Sequence, residues 1–246
     1  MDYRITSADL DPPGVTERFH TETLIRLPAF AAFAPSDESP LVNELPALTS
    51  ASFTFASLNI IAKINPGVVA VWGRILSKIP NSRLILGNVA DEGARQHLIG
   101  MFGQNDVSTA QLIFSPRVPL KDFLALHSQI DLALDPFPFN GGTTLLHALW
   151  MGVPAVALCG ERSVSRFGAA DLHFAGLPEF IARTEQEYVE IALAHAADLP
   201  RLNQIRRELR DRMTSRPENN PQHITRSVES AYRESWRKWC ESTGVV

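Results

Sequence analysis

Five consecutive residues, Asn140-Gly141-Gly142-Thr143-Thr144, have the composition of an anion-binding turn. The apolar run Leu132–Leu134 reads as a short buried strand that Pro136 and Pro138 terminate, and the two glycines let the backbone turn sharply. A helix starting at Thr143 or Thr144 would then aim its unpaired N–H groups and the positive end of its dipole at whatever lies above the strand. The natural anion for such a position is a phosphate. The same residues also suit an ordinary strand-to-helix turn with threonine as N-cap, and they match neither the lysine-bearing Walker loop nor the spaced glycines of dinucleotide folds.

Such a loop needs a sheet to hold it. From Phe53 onward, short apolar segments at Phe53–Leu58, Arg83–Leu86, Leu112–Phe114, Leu132–Leu134 and Ala155–Leu158 alternate with helical stretches. Val69, Trp72, Ile75, Leu76 and Ile79 recur at helical spacing after Pro66, as do Phe123, Leu124 and His127 after Pro119. The alternation predicts an α/β fold, a doubly wound parallel sheet with ligands beyond the carboxyl ends of its strands. Residues 1–50 are rich in proline and turn signals, and only Pro13–Phe19 suggests a short helix. After Pro178 the chain reads as helical: Thr184 with Glu187 forms a capping-box pattern, Pro200 opens a helix to about Met213, and Pro221 opens a last one. On that last helix Ile224, Val228, Ala231, Tyr232, Trp236 and Trp239 make an apolar stripe, expected chiefly to pack.

Composition sets the bounds. The 246 residues are 45% hydrophobic and 20% charged, enough for a full core, and the net charge of −4 supplies no basic field for nucleic acid. No apolar run reaches the roughly 20 residues that cross a bilayer and the N-terminus lacks a signal-peptide core, so a cytoplasmic protein without a membrane partner is expected. Cys159 and Cys240 form neither a metal pair nor a disulfide framework, and the seven histidines lack ligand spacing, so no metal or other cofactor is expected.

The wider run, from Asn140-Gly-Gly-Thr-Thr through Ala148-Leu-Trp-Met-Gly-Val-Pro to Gly160-Glu-Arg-x-x-x-Arg166, resembles the C-terminal catalytic half of O-linked N-acetylglucosamine transferases, including bacterial SPINDLY-like members. Asp2-Tyr-Arg-Ile-Thr, Asp11-Pro-Pro-Gly, Ile25-Arg-Leu-Pro, Ala62-Lys-Ile-Asn-Pro66, Ile79-Pro-Asn-Ser-Arg-Leu, Phe114-Ser-Pro and Asp135-Pro-Phe-Pro fit in the same order, so the resemblance covers nearly the whole chain. It implies a Rossmann-like lobe, the C-terminal half of a GT-B glycosyltransferase. The donor would be UDP-GlcNAc or a related UDP-sugar, and the sugar would pass to Ser or Thr of a protein acceptor.

Site residues follow from the same resemblance. Lys63, in Asn59-x-x-Ala-Lys63, would contact the diphosphate and help the leaving group depart, which makes it the catalytic candidate; a lysine there is a mobile point charge suited to phosphate. Asn59 would orient a phosphate or cap a turn. Thr143 and Thr144 would hold the β-phosphate at the helix start, with Asn140, Gly141 and Gly142 forming the loop. Val118 falls where the backbone holds the uracil ring, and His147 where relatives carry an acidic residue for the ribose hydroxyls. The chain departs from the pattern at Ile60, where relatives carry an amide, at Asp122-Phe123 for Glu-His, and at Gly87 for a bacterial lysine. Ile60 and Phe123 cannot replace those polar contacts, each worth about 1–3 kcal/mol.

No 34-residue repeat and no second βαβ lobe is legible, although the family places its essential histidines and acceptor groove in such regions. The expected organisation is a remnant of an N-terminal lobe and crossover at 1–50, a nucleotide-sugar-binding domain at 51–178 and a helical segment at 179–246. In the family the terminal helix crosses back towards the N-terminal lobe, so part of its apolar stripe is expected to be exposed. A truncated or degenerate transferase lobe is the primary reading, with a separate N-terminal lobe or tetratricopeptide-repeat chain as the partner that would complete it. The alternatives are a non-catalytic protein-interaction module on the same fold and, disfavoured by the missing G-x-G-x-x-G, an unrelated Rossmann nucleotide binder.

Overall fold

The computed structural model describes residues 2–28, 33–216 and 219–244. Each expected strand forms: β3 (Thr54–Ser57), β4 (Arg83–Leu86), β5 (Leu112–Phe114), β6 (Leu132–Leu134) and β7 (Ala155–Leu158), after two N-terminal strands, β1 (Tyr3–Ser7) and β2 (Thr23–Leu27). A two-residue strand, β8 (Ile181–Ala182), completes a six-stranded sheet in the order β5-β4-β3-β6-β7-β8, parallel at every pairing. Consecutive residues of β3 enter different apolar clusters, Phe55 the main core and Ala56 a smaller one with Leu58, Ile85 and Val153. Burial on both faces is what continuous apolar strands require.

Helices fill the crossovers: α1 (Pro66–Lys78), α2 (Glu92–Gly103), α3 (Leu120–Leu126), α4 (Thr143–Trp150) and α5 (Phe167–Phe174). Proline at the first position of α1 costs no hydrogen bond, and the Asn65 side chain caps it by accepting from Val68 N–H at 3.1 Å. After β8 come α6 (Glu185–Ala197), α7 (Leu199–Ser215) and α8 (Pro221–Thr243). Thr184 caps α6 as read, but Glu187 reaches back to Arg183 N–H instead of Thr184 N–H. The main core runs from Leu45 to Met213 without a break at residue 178, because Tyr188, Val189, Leu202, Ile205 and Leu209 bury their side chains in it.

Two expectations need correction. Residues 1–50 are not strand-free: β1 and β2 pair in parallel, Tyr3 opposite Thr23 through Ser7 opposite Leu27. Within Pro13–Phe19 only Glu17–Phe19 is helical, as a 3-10 turn. This segment is also anchored on the rest of the chain. The buried Asp11 carboxylate accepts from Thr6 Oγ1 at 2.6 Å, His20 Nε2 at 3.1 Å and Ser163 Oγ at 3.0 Å, and His173 meets Asp9 at 2.7 Å. Part of the stripe on α8 is uncovered, as expected: Tyr232 is 63%, Trp236 61% and Trp239 43% exposed, whereas Ile224 and Val228 are half-buried and Ala231 is buried. Among the described residues no helix is long and apolar enough to cross a membrane.

Candidate functional site

The strand order reverses direction between β3 and β6, the point at which a doubly wound sheet opens a crevice beyond its carboxyl ends. β3 delivers Asn59 and Lys63 to that crevice; β6 delivers Asp135 and the loop to Thr144. The loop is held from both sides. Lys63 Nζ donates to Asn140 O at 2.7 Å and lies 4.2 Å from the Phe139 ring centre, while Asn65 Nδ2 donates to Phe137 O at 2.7 Å. From the other flank Asn140 N–H donates to Val164 O at 3.1 Å, and Asn140 Oδ1 accepts from Gly168 N–H at 3.3 Å.

At the start of α4 Gly142, not a threonine, occupies the N-cap position, and no side chain caps the helix. Among the described residues no acceptor meets the N–H groups of Thr143 and Thr144, so both stay available beside a helix dipole. The glycine before them is sterically required: a Cβ on Gly141 would stand 2.6 Å from Asp135 Oδ1 and 3.3 Å from Asn59 Oδ1. Gly141 N–H donates to Asp135 Oδ1 at 2.8 Å, which fixes the turn. Burial pushes the Asp135 carboxyl up to about 7, with Gly141 N–H and Lys63 opposing. Burial lowers the Lys63 ammonium and Asp135 opposes that, so the two groups stabilise each other's charged forms.

The other sequence candidates fall in different places. Asn59 is 6% exposed, with its side chain against Asp135 and Gly141. Asn140 is 1% exposed and spends its amide on Pro136 O, Leu158 O and Gly168 N–H, so it secures the loop from within. Val118 is half-buried beyond β5, the outer strand, two strands from β3. His147 sits one turn into α4 within an aromatic cluster, edge-on to Phe33 at 5.3 Å and Phe123 at 5.8 Å, and its Nδ1 is buried without a partner. Asp135, Asn65 and Phe139 join the site from the structure alone; in the sequence a carboxylate directly after a strand is the signal for the first. Among the described residues no group of three or more His, Cys, Asp or Glu could hold a metal ion.

Phe123 also meets His127 edge-on at 5.0 Å, and His127 is 1% exposed. Burial lowers its pKa to about 4, although its Nδ1 lies 2.9 Å from Phe123 O. The unfolded chain therefore binds a proton between pH about 6.5 and about 4 that the folded chain refuses. Stability should be complete above pH 6.5 and fall by about 3 kcal/mol as pH drops through 4. Urea melts of wild type and His127→Phe at pH 7 and pH 4.5 check this. An equal acid loss in both proteins would assign the effect to other groups.

A cation, two N–H groups without acceptors among the described residues and a helix N-terminus around one crevice have the chemistry to hold a diphosphate and to stabilise its charge. The profile described as Glycosyl transferase family 41 matches residues 43–227. The chain is similar to the probable UDP-N-acetylglucosamine–peptide N-acetylglucosaminyltransferase SPINDLY of Solanum lycopersicum, at 38% identity over 245 residues, covering 98% of this chain and 26% of that protein. Its fold is similar to that of a Thermobaculum terrenum O-GlcNAc transferase mutant, with a TM-score of 0.87 and 35% identity over 99% of this chain and 46% of that one. Sucrose-phosphate synthase from Thermosynechococcus elongatus shares the fold at a TM-score of 0.63 and 13% identity, over 96% of this chain and 59% of that one. The chain spans about a quarter of the length of the curated SPINDLY relatives it matches.

Proposed function

The chain belongs to glycosyl transferase family 41, and from that membership we propose that it forms the UDP-sugar-binding lobe of an O-GlcNAc-transferase-like protein glycosyltransferase of the cytoplasm. The observation that carries this reading is the convergence of Lys63 and the Thr143–Thr144 helix start on the β3–β6 crevice. UDP lies with its diphosphate over that helix start, held by the Thr143 and Thr144 N–H groups. Lys63 leaves the Asn140 carbonyl to neutralise the departing phosphate, the backbone at Val118 holds the uracil, and His147 faces the ribose. The sugar is N-acetylglucosamine and the acceptor a Ser or Thr of a protein. A second lobe, on the same polypeptide or a separate one, supplies the acceptor groove and general base. No metal or other cofactor is required: Lys63 and the helix dipole carry the charge stabilisation.

Replacing Lys63 with alanine should weaken UDP binding by about 1.5–3 kcal/mol, roughly 10- to 150-fold in Kd, as expected for loss of one charged hydrogen bond. Calorimetric titration of UDP into both proteins measures it, and an unchanged Kd would remove Lys63 from the site. A non-catalytic interaction module is the second reading, favoured by Ile60, which is 55% exposed and has no side-chain hydrogen bond to offer a nucleotide. Absence of any saturable UDP binding by the wild-type protein would decide for it.

A further inference from the structure

Beneath the loop lies an acid that none of these roles uses. Asp135 is 2% exposed; its Oδ1 accepts the Gly141 N–H at 2.8 Å, and its Oδ2 is buried without a partner. Gly168 at the start of α5 closes over it so tightly that a Cβ there would stand 2.8 Å from Oδ2. The groups facing it are Lys63 from the β3 side, Asp171 from α5, Tyr188 from α6, whose Oη donates to Asp135 O at 3.0 Å, and the amides of Asn59 and Asn140. Lys63 is the cation in this set. Asp171 also has a buried oxygen without a partner, and burial, with Asp135 beside it, raises its carboxyl well above the usual carboxylate range.

We propose that Asp135 is the positioning residue of the loop and takes up a proton from solvent when a nucleoside diphosphate settles above it. The inference rests on the function proposed above. Ionised, Asp135 is stabilised by the Gly141 N–H and, next, by the Lys63 ammonium, which is the cation a diphosphate would draw away. The ligand at the same time brings negative charge to a loop whose Gly141 N–H is bonded to Oδ1. Losing a counter-charge and gaining a like charge both favour the neutral acid. Because burial already places this carboxyl at about 7, the change falls in an accessible pH range. The protonated group keeps Oδ1 as an acceptor, so the turn is preserved while the repulsion is removed.

Calorimetric titration of UDP at pH 7.5 in PIPES, HEPES and Tris tests this, because the slope of observed heat against buffer ionisation enthalpy counts protons. Wild type should take up about half a proton or more beyond the value for Asp135→Asn, a difference that cancels the ionisation of UDP itself. Wild-type affinity should also fall more steeply than that of the variant between pH 7.5 and 8.5, by up to about tenfold per unit. If Asp135→Asn does not fold, carboxyl carbon-13 NMR of the wild-type protein should show the Asp135 titration moving upward on adding UDP. Equal proton counts, or a resonance that UDP leaves in place, overturns the proposal. UDP binding without uptake sinks this inference alone, whereas no UDP binding removes the functional reading and this inference together.

Discussion

Replacing Arg206 with alanine should lower stability by about 5 kcal/mol or more and the unfolding temperature by about 10–20 °C. Arg206 is fully buried in α7 and donates to Asn43 O at 2.9 Å, Asn43 Oδ1 at 2.6 Å, Ile130 O at 2.7 Å and His127 O at 3.1 Å. Burial lowers its guanidinium only to about 10, so it is charged at neutral pH and satisfies three carbonyls at once. Alanine would leave the Ile130 carbonyl buried and unpaired beside a large cavity, strip the donor from Asn43 O and Asn43 Oδ1 at the rim, and leave His127 O with the Ile130 N–H alone; an orphaned buried group costs about 1–3 kcal/mol and the cavity several more. Because typical domains are stable by only 5–15 kcal/mol, much of the reserve would go. Lysine keeps the charge but not the planar fork, so Arg206→Lys should recover only part of the loss. Differential scanning calorimetry reads all three proteins; an alanine variant melting within about 3 °C of wild type would mean that those carbonyls find other donors.

The second large effect is expected at Trp72, fully buried in α1. Its Nε1 donates to Tyr188 Oη at 3.3 Å, and that hydroxyl donates onward to Asp135 O at 3.0 Å. Trp72→Ala should cost about 3–5 kcal/mol, mainly through a cavity that the sheet on one side and α6 on the other are too rigid to fill. Trp72→Phe retains most of the apolar volume and loses the indole N–H, so about 1–2 kcal/mol is expected. Urea unfolding followed by far-ultraviolet circular dichroism separates the variants. A loss below about 1.5 kcal/mol for the alanine change would show that the pocket collapses around the missing ring.

The strands of the main sheet were legible because each of the five is a short apolar run stopped by turn residues, a pattern tied to burial on both faces. Ile181–Ala182 escaped notice because two residues have no periodicity, and their pairing with β7 is decided by neighbours. β1 was hidden for a related reason: Tyr3 and Ile5 alternate with Arg4 and Thr6, but what makes them a strand is a partner near residue 25. At the crevice, Lys63 and the threonines could be placed by motif, whereas the part played by Asn140 could not. Its amide is consumed by Gly168 and Leu158, which lie beyond its own loop. Arg206 shares its helix with Arg201, Arg207, Arg210 and Arg212, so nothing local marks it as buried; Asn43, far back in the chain, does.

The order of the strands has a consequence for how the molecule assembles. Phe55 lies opposite Leu84 on one side and Leu132 on the other, so the second pairing closes a loop more than twice as long as the first. Loop-closure entropy therefore makes the β3–β4 pairing the easier of the two to close and the β3–β6 pairing the more costly, by about 0.9 kcal/mol for that ratio of lengths. The crevice lies at the β3–β6 pairing, so it exists only where that more costly closure has been made. A ligand bound across it would add its binding free energy to the pairing that is entropically the more costly to close.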